Sequence, residues 1–324
     1  MTETLQPNPN TENTRQAILG ATGDIGSLLL NELVNEYDGV SVRAVSRTLP
    51  EVDNRHDGVE YRAADVENLD DLVEVTRGMD VVYSTLAVPY NTEAWTQSWP
   101  RITENVIEAA RTNGFKLVFL DNVYMYGKAD GPMTEDTPVN PASGKGKVRA
   151  EVADMLLQAM ESGEINATIG RSADFYGPDS RISSRFFQGA LKEGKAYWMG
   201  NPDVMRTWSY TPDNAKALAI LGNDARADKK VWHMPVAPAM KGVGFIALAS
   251  KVLGKDLETI PVPGDDAEAR KAFAANMPEI ADMMYQYDNN FVVDSSRFQR
   301  TFGMEPTSYE EGFRNTFDIL AKSK

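Results

Sequence analysis

Three glycines spaced by three residues, Gly20, Gly23 and Gly26, constrain the fold of this chain more than any other feature of its sequence. They follow an apolar run at 17–19 and precede leucines at helical spacing. In a strand–turn–helix unit of this kind, backbone amides and the helix N-terminus face the phosphates of a ligand. Gly20 permits the tight turn, Gly23 a close approach of the ligand, and Gly26 close packing of the helix on the sheet. The residues expected to bind phosphate are Gly20, Thr22, Gly23, Asp24, Ile25 and Gly26.

The composition narrows the classes of function. The 324 residues include 33 Lys and Arg, 47 Asp and Glu, no Cys, and only two His, at 56 and 233. The lack of cysteine excludes disulfides, thiolate zinc sites and a cysteine nucleophile, and two histidines disfavour a histidine-based metal site. A formal net charge of −14 disfavours general binding to nucleic acids or anionic membranes. We find no apolar run of transmembrane length and no signal-peptide core, so we expect a cytoplasmic protein.

Short apolar runs alternate with helical patterns from Gln16 onward. Strands are predicted at 16–20, 40–45, 59–63, 80–86, 115–121 and 165–170. Helices are predicted between them at 24–37, 68–78, 98–113 and 145–162. The alternation predicts an α/β fold of the Rossmann type, a doubly wound parallel sheet with crossover helices on both faces.

The pattern changes after Arg171, where Gly, Pro and Trp become frequent. We predict a disordered tail at 1–14, a dinucleotide-binding Rossmann domain at 15–171, and a smaller, mostly helical C-terminal substrate-binding lobe at 172–324. Helices of this lobe are predicted at 179–193, 212–223, 240–253, 266–275 and 308–321, and a helical cap at 262–285.

Ser46 and Arg47 close the second strand, where dinucleotide-binding folds recognise the adenosine ribose. An acid at this place binds the free 2′-hydroxyl, whereas a nearby arginine accommodates a 2′-phosphate. Arg43 would add to this effect if its side chain points the same way. The sequence therefore favours NADP(H) over NAD(H) as the cofactor, and the alternative is that Arg47 is a solvated loop residue.

Further cofactor contacts are predicted after the third and fourth strands. The carboxylate of Asp65 can accept a hydrogen bond from the adenine amino group while Val66 packs on the ring, although a helix cap is an equal alternative for Asp65. The fourth strand runs out through Leu86 and Ala87, and small residues at its carboxyl end let a cofactor lie across the sheet edge.

Motifs in a fixed order show that the chain resembles the extended short-chain dehydrogenase/reductase family of NAD(P)-dependent sugar epimerases and dehydratases. The turn at 20–26 has the glycine spacing of that family, and Tyr126-Gly127 matches its Val-Tyr-Gly. The other matching segments, within residues 15–235, are Thr134–Pro138 with Pro141, Arg171 with Tyr176–Pro178, and Arg206–Ala215. The resemblance implies a Rossmann fold, a small-molecule substrate and a homodimer through two helices of the nucleotide-binding domain.

The catalytic Tyr-x-x-x-Lys pair of the family is not recovered in this chain. One register puts Lys145 in place of the tyrosine and Arg149 in place of the lysine, and a second register puts Ser143 and Lys147 there. The catalytic Ser or Thr position of the family falls on Asn122. The chain therefore resembles the atypical branch of the family, in which the usual active-site set is missing.

Three interpretations of the function follow. In the first, the protein is an NAD(P)-dependent oxidoreductase that transfers a hydride to or from a carbonyl or alcohol carbon of a small molecule or sugar derivative. Tyr124 is then the leading acid/base and Lys145 the second choice, while Arg149 holds the nicotinamide ribose and Asn122 helps to position cofactor and substrate. In the second it is a redox-neutral epimerase or isomerase, and in the third a non-catalytic NADP(H)-binding sensor. The aspartates considered as bases in the second are Asp121 and Asp174.

Several other side chains are assigned roles. The helix after Ser143 begins with three cations, Lys145, Lys147 and Arg149. Positive charges at a helix N-terminus oppose the helix dipole, so we favour a bound anion there over solvated charges. Arg206 is a candidate clamp for a substrate phosphate or carboxylate, as the resemblance implies, whereas Arg171 is assigned a structural role and His233 a buried core position. The candidate walls of an apolar substrate pocket are Trp95, Trp99, Trp198 and Trp208.

Overall fold

The computed structural model describes residues 13–181, 183–262 and 280–322, and a seven-stranded parallel sheet lies at its centre. The strands, in order across the sheet, are β3 (Glu60–Ala63), β2 (Val40–Ser46), β1 (Thr14–Leu19), β4 (Val81–Ser84), β5 (Lys116–Asn122), β6 (Asn166–Ser172) and β11 (Val231–His233). The order reverses between β1 and β4, so the carboxyl ends of these strands border the crevice in which such sheets bind ligands. The predicted doubly wound parallel sheet is confirmed.

Helices cover both faces of the sheet because successive side chains of a strand point to opposite sides. Ile18 packs on one side, with the helices α1 (Gly26–Glu36) and α6 (Thr211–Asn223). Ala17 and Leu19 pack on the other side. The helices of that side are α2 (Leu69–Thr76), α3 (Thr92–Asn113) and α4 (Gly144–Glu161).

Helix α3 begins six residues before the predicted start at 98. The side chain of Asn91 accepts a hydrogen bond from the amide of Ala94 at 2.7 Å and caps the helix there. Pro100 lies inside the helix, and Gly114 ends it with a φ of 72°. The additional turn brings Trp95 to the carboxyl edge of the sheet, where it becomes part of the candidate site.

The C-terminal lobe consists of short strand pairs and helices around an aromatic core. The paired strands are β7 (Phe175–Tyr176) with β10 (Ser209–Tyr210), β8 (Lys195–Met199) with β13 (Glu258–Val262), and β9 (Met205–Arg206) with β12 (Met240–Lys241). The helices are α5 (Ser184–Gln188), α7 (Gly242–Leu253), α8 (Tyr285–Asp288), α9 (Ser296–Phe302) and α10 (Tyr309–Lys322). Phe245 of α7 and Phe313 of α10 meet edge to face with ring centroids 4.5 Å apart.

The two predicted domains share the central layer. Strand β11 and helix α6 come from beyond residue 171, and they join the sheet and its helical cover. A boundary at 171 therefore cuts through this layer.

The predicted helix at 266–275 and all but two residues of the tail at 1–14 lie outside the described residues. None of the described helices has the length and apolar character needed to cross a membrane.

Candidate active site

The turn between β1 and α1 has a geometry that requires glycine. Gly20 has a φ of +87°, which favours glycine. A Cβ atom on Gly26 would lie 2.1 Å from the carbonyl oxygen of Gly20 and 2.8 Å from the hydroxyl of Thr85. A Cβ atom on Gly23 would approach only the Gly20 oxygen, at 3.2 Å. Gly26 thus allows helix α1 to pack directly on the end of β1.

The same turn presents hydrogen-bond donors without partners. No side chain caps helix α1 at Ile25, and no described residue accepts a hydrogen bond from the amides of Thr22, Asp24 or Ile25. Free amides at a helix N-terminus attract anions because the positive end of the helix dipole adds to their partial charges. The turn therefore fits a pyrophosphate group. The carboxylate of Asp24 contacts Arg181 of the C-terminal lobe.

Arg47 is exposed at the end of β2, and no described residue forms an ion pair with its guanidinium. Ser46 donates a hydrogen bond from Oγ to the carbonyl oxygen of Thr48 at 2.7 Å. Arg43 points elsewhere, since its guanidinium binds Glu60 at 2.7 Å and the carbonyl oxygen of Val75 at 2.7 Å. Of these three side chains, the one free to meet a ligand phosphate is therefore Arg47.

The predicted adenine contacts lie in loops at the same edge. Oδ1 of Asp65 accepts a hydrogen bond at 3.0 Å from the backbone amide two residues further on, and the cap of α2 is Asn68 instead. Val66 and Leu86 are partly buried against the core, whereas Ala87 is exposed. The contacts of these residues with adenine stay a prediction.

Tyr124 lies in a single helical turn after β5, and its hydroxyl is 3.1 Å from Oδ1 of Asp174. Oδ1 of Asn122 accepts a hydrogen bond from the Tyr124 amide at 3.0 Å and fixes this turn. The Tyr124 ring stacks on Trp95 with centroids 6.3 Å apart and is 6% exposed. The fold thus brings two predicted catalytic residues together with an aspartate from the next strand end.

The surroundings of Tyr124 determine its protonation. Burial, and then the negative charge of Asp174, raise the pKa of the Tyr124 phenol well above its usual value. The phenol therefore stays protonated at neutral pH and donates its hydrogen to the Asp174 carboxylate. A lysine one helical turn away, as in the Tyr-x-x-x-Lys pair, would lower the pKa instead.

Asp174 is the centre of a buried polar cluster. Oδ2 of Asp174 accepts hydrogen bonds from the hydroxyl of Tyr287 at 3.0 Å and from Nη2 of Arg206 at 2.9 Å. The Arg206 guanidinium lies over the rings of Tyr287, at 3.9 Å, and Trp208, at 4.6 Å. Arg206 is 1% exposed and its guanidinium binds Asp174, so in this conformation it does not form the predicted clamp for a substrate phosphate or carboxylate. Tyr287 was not predicted from the sequence. It lies 113 positions from Asp174 in the chain, and no motif around it indicates the contact.

Lys145 is fully buried near Tyr124, at the start of α4. Its Nζ lies 3.3 Å from Oγ1 of Thr92 and 4.7 Å from the centroid of the Tyr90 ring. Tyr90 packs edge to face on Trp95, the residue that stacks on Tyr124. The second predicted acid/base therefore belongs to the same aromatic cluster as the first.

The four tryptophans predicted to wall a pocket form two groups. Trp95 and Trp99 pack edge to face beside Tyr124, with centroids 6.2 Å apart. Trp198 and Trp208 pack on each other at 6.3 Å, beside Arg206. The Asp174 cluster lies between these groups, because it bonds both Tyr124 and Arg206.

Arg149 is buried beneath the end of β5 and pairs with Asp121. Its Nε donates to Oδ1 of Asp121 at 2.9 Å, and its guanidinium lies 4.4 Å from the centroid of the Trp99 ring. Nε of Arg171 lies 3.4 Å from the other oxygen of the same carboxylate. With 2% exposure and its guanidinium bound to Asp121, Arg149 forms a buried ion pair, and its role at the nicotinamide ribose stays a prediction. Because two guanidinium groups hold Asp121, it is equally ill placed to act as a base.

The alternative register for the catalytic pair gives a different arrangement. Ser143 is the N-cap of α4, and its Oγ accepts a hydrogen bond from the Gly146 amide at 3.0 Å. Lys147, one turn along, is exposed. The cations that the fold turns inward are Lys145 and Arg149.

The second tyrosine after β5 belongs to a structural network, as does His233. The hydroxyl of Tyr126 lies 2.9 Å from Nε2 of His233 and accepts a hydrogen bond from Arg171 at 2.8 Å. Nδ1 of His233 lies 3.0 Å from the carbonyl oxygen of Asp294, so Nδ1 carries the hydrogen and Nε2 accepts from the phenol. His233 is fully buried, as predicted for a satisfied core histidine.

This network predicts a pH dependence of stability. Burial lowers the pKa of His233 below that of the unfolded chain, so below about pH 6.5 the unfolded state binds a proton that the folded state rejects. We expect the free energy of unfolding to fall as the pH decreases from 7 towards 5.5, by up to about 1.4 kcal/mol per pH unit. Urea unfolding across this range measures the slope of the free energy of unfolding against pH. His233→Gln should remove this slope, and the control His56→Gln should retain it. A slope that survives in His233→Gln contradicts the assignment.

Comparisons with known proteins identify relatives of this chain. A family model described as the NAD dependent epimerase/dehydratase family matches residues 17–234. The dTDP-6-deoxy-L-talose 4-dehydrogenase (NAD(P)(+)) of Kitasatospora kifunensis is 27% identical over 184 residues, covering 52% of this chain and 55% of that protein. This chain thus spans about half the length of that curated relative.

Two solved structures share the fold. The dTDP-glucose 4,6-dehydratase of Bacillus anthracis in complex with NAD has a TM-score of 0.79 and 17% identity, and the match covers 96% of this chain and 97% of that one. The UDP-glucuronic acid 4-epimerase of Bacillus cereus in complex with NAD has a TM-score of 0.77 and 18% identity, with 95% and 99% covered. At these identities the likeness establishes the fold.

Proposed function

The chain belongs to the NAD dependent epimerase/dehydratase family, and from this premise we propose that it is an NAD(P)-dependent oxidoreductase acting on a carbonyl group of a small molecule or sugar derivative. The observation that carries the proposal is the turn at 20–26, whose free amides and glycine packing fit a pyrophosphate. When bound, the nicotinamide supplies or accepts a hydride. The residues proposed to hold the cofactor are those of the turn with Ser46, Arg47, Asp65, Val66, Leu86 and Ala87.

Tyr124 is proposed to protonate the substrate oxygen. Its raised pKa disfavours the phenolate form, so the phenol is unsuited to remove a proton from an alcohol and is available to donate one to a carbonyl oxygen. To donate, the phenol must turn its hydrogen from Asp174 to the substrate, and Asp174 then keeps its bonds to Arg206 and Tyr287. Lys145 is the second candidate, and Asn122 positions Tyr124.

A redox-neutral epimerase or isomerase is the second candidate function, and the solved relative named as a UDP-glucuronic acid 4-epimerase supports it. Screening aldehydes, ketones and sugar nucleotides while following NADPH absorbance separates the two. An oxidoreductase changes the NADPH concentration in step with the substrate. An epimerase converts the substrate at constant NADPH, and a protein that does neither while binding NADPH is a sensor.

Cofactor choice is predicted to depend on Arg47. We expect the chain to bind NADPH more tightly than NADH, and Arg47→Ala to weaken NADPH binding about tenfold, because a charge-assisted contact with the 2′-phosphate is lost. NADH binding should not change. Calorimetry with both cofactors measures the preference, and Arg62→Ala, an exposed arginine of the neighbouring strand, is the matched control. Tighter NADH binding by the unaltered chain would refute the NADP preference.

A further inference from the structure

Asp24 places a carboxylate in the middle of the proposed phosphate-binding turn, and an arginine from the other lobe meets it. Nε of Arg181 lies 3.3 and 3.4 Å from the two carboxylate oxygens of Asp24, and Nη2 lies 3.3 Å from Oδ1. The two residues are 157 positions apart in the sequence. The pair therefore joins the turn to the loop that follows β7.

The carboxylate is an electrostatic obstacle to an anionic ligand. Asp24 is 28% exposed, and a second acid lies nearby, since burial and then the charge of Asp24 raise the pKa of Asp179. The first turn of α1 carries no charged side chain. Among the described residues, Arg181 is the cation that forms an ion pair with the turn. Without it, a pyrophosphate would face uncompensated negative charge.

Arg181 has the means to serve both anions. Its side chain is 71% exposed, and the bonds to Asp24 use only Nε and Nη2. No described residue accepts a hydrogen bond from Nη1. A guanidinium carries five donors in a planar fork that matches carboxylate and phosphate groups. One arginine can thus neutralise Asp24 and still offer donors to a phosphate.

We propose that Arg181 is a cofactor-positioning residue, which neutralises Asp24 so that the turn accepts the dinucleotide pyrophosphate and which links the C-terminal lobe to cofactor binding. The proposal rests on the proposed function, because it requires a dinucleotide at the turn. This role of Arg181 explains why Asp24, an acid, can stand in a turn that should bind an anion. The glycine pattern alone does not explain it.

The test is NADPH affinity, measured by fluorescence titration at low and high salt. We expect Arg181→Gln to weaken binding about tenfold at low salt and less at high salt, because salt screens the uncompensated carboxylate. The double variant Asp24→Asn with Arg181→Gln should bind within about threefold of the unaltered chain, because the charge that needed neutralising is gone. Arg185→Gln, which removes a nearby arginine paired with Glu193, should bind normally.

The outcomes separate this proposal from the proposed function. If the unaltered chain binds no dinucleotide, the proposed function fails, and this inference fails with it. If the unaltered chain binds NADPH but Arg181→Gln binds equally well, only the role of Arg181 is overturned. A loss in Arg181→Gln that Asp24→Asn does not restore to within about threefold also overturns it, because Arg181 would then act mainly by contacting the phosphate and not by neutralising Asp24.

Discussion

Replacing Tyr124 with Phe should lower the turnover number about a hundredfold and leave NADPH affinity unchanged. The reason is that general acid catalysis by a positioned side chain contributes about this much, and Phe keeps the ring stacked on Trp95. The measurement is the initial rate of NADPH oxidation with a carbonyl substrate found by screening, together with calorimetry for the cofactor.

The control for this variant is Tyr287→Phe. Tyr287 also donates to Asp174, at 3.0 Å, and is also buried, so each variant leaves the carboxylate short of one donor. Each should cost about 1–3 kcal/mol of stability. Of the two tyrosines, Tyr124 is the one at the carboxyl end of β5, so only Tyr124→Phe should lower turnover about a hundredfold. Equal losses of turnover in the two variants would show that Asp174, and not the Tyr124 hydroxyl, governs the rate. Unchanged turnover in Tyr124→Phe would eliminate Tyr124 as the acid.

Replacing Gly26 with Ala should lower dinucleotide affinity by a factor on the order of a hundred, because moving the helix N-terminus weakens hydrogen bonds to a charged pyrophosphate, each worth about 1.5–3 kcal/mol. The new methyl group would lie 2.1 Å from the Gly20 carbonyl oxygen, a fixed backbone atom, so helix α1 must move away from β1. We also expect a loss of about 1–3 kcal/mol in the free energy of unfolding, as for an overpacked core. Calorimetry and urea unfolding measure the two effects.

Two further glycines make this experiment specific. Gly131→Ala should change neither quantity, because a Cβ atom there has no neighbour within 4 Å. Gly23→Ala meets only one atom, at 3.2 Å, so the fold should survive while the added methyl keeps the ligand from the backbone. Normal dinucleotide binding by both Gly23→Ala and Gly26→Ala would mean that the turn is not the cofactor site.

The sheet and its main helices could be predicted because their signals are local. Apolar runs of strand length and capped helical patterns depend on neighbouring residues, and the strand prediction at 40–45 matches β2 at Val40–Ser46 within one residue. The start of α3 was predicted wrongly because the cap at Asn91 competes with the proline at 100, and the sequence alone does not say which prevails.

The candidate site was predictable only in part. The residues that follow β5 could be found, since the carboxyl end of a parallel strand is where such sheets bind ligands. The sequence offered Asp174 as a candidate base, but its contacts with Tyr124 and Tyr287 could not be predicted, because they join residues 50 and 113 positions apart. The raised pKa of Tyr124 follows first from its burial and then from the charge of Asp174, and both are set by the tertiary structure.

The sequence by itself determined the fold class, the glycine turn at 20–26 and the absence of the family's Tyr-x-x-x-Lys pair, because each depends on residue types at short fixed spacings. Only the tertiary structure decided which cations are buried, that Arg149 pairs with Asp121, and that Arg181 meets Asp24. The physical reason is that the energy of a charge depends on burial and on the opposite charges within a few ångströms. Those neighbours come from distant parts of the chain and are fixed only when the two lobes pack together.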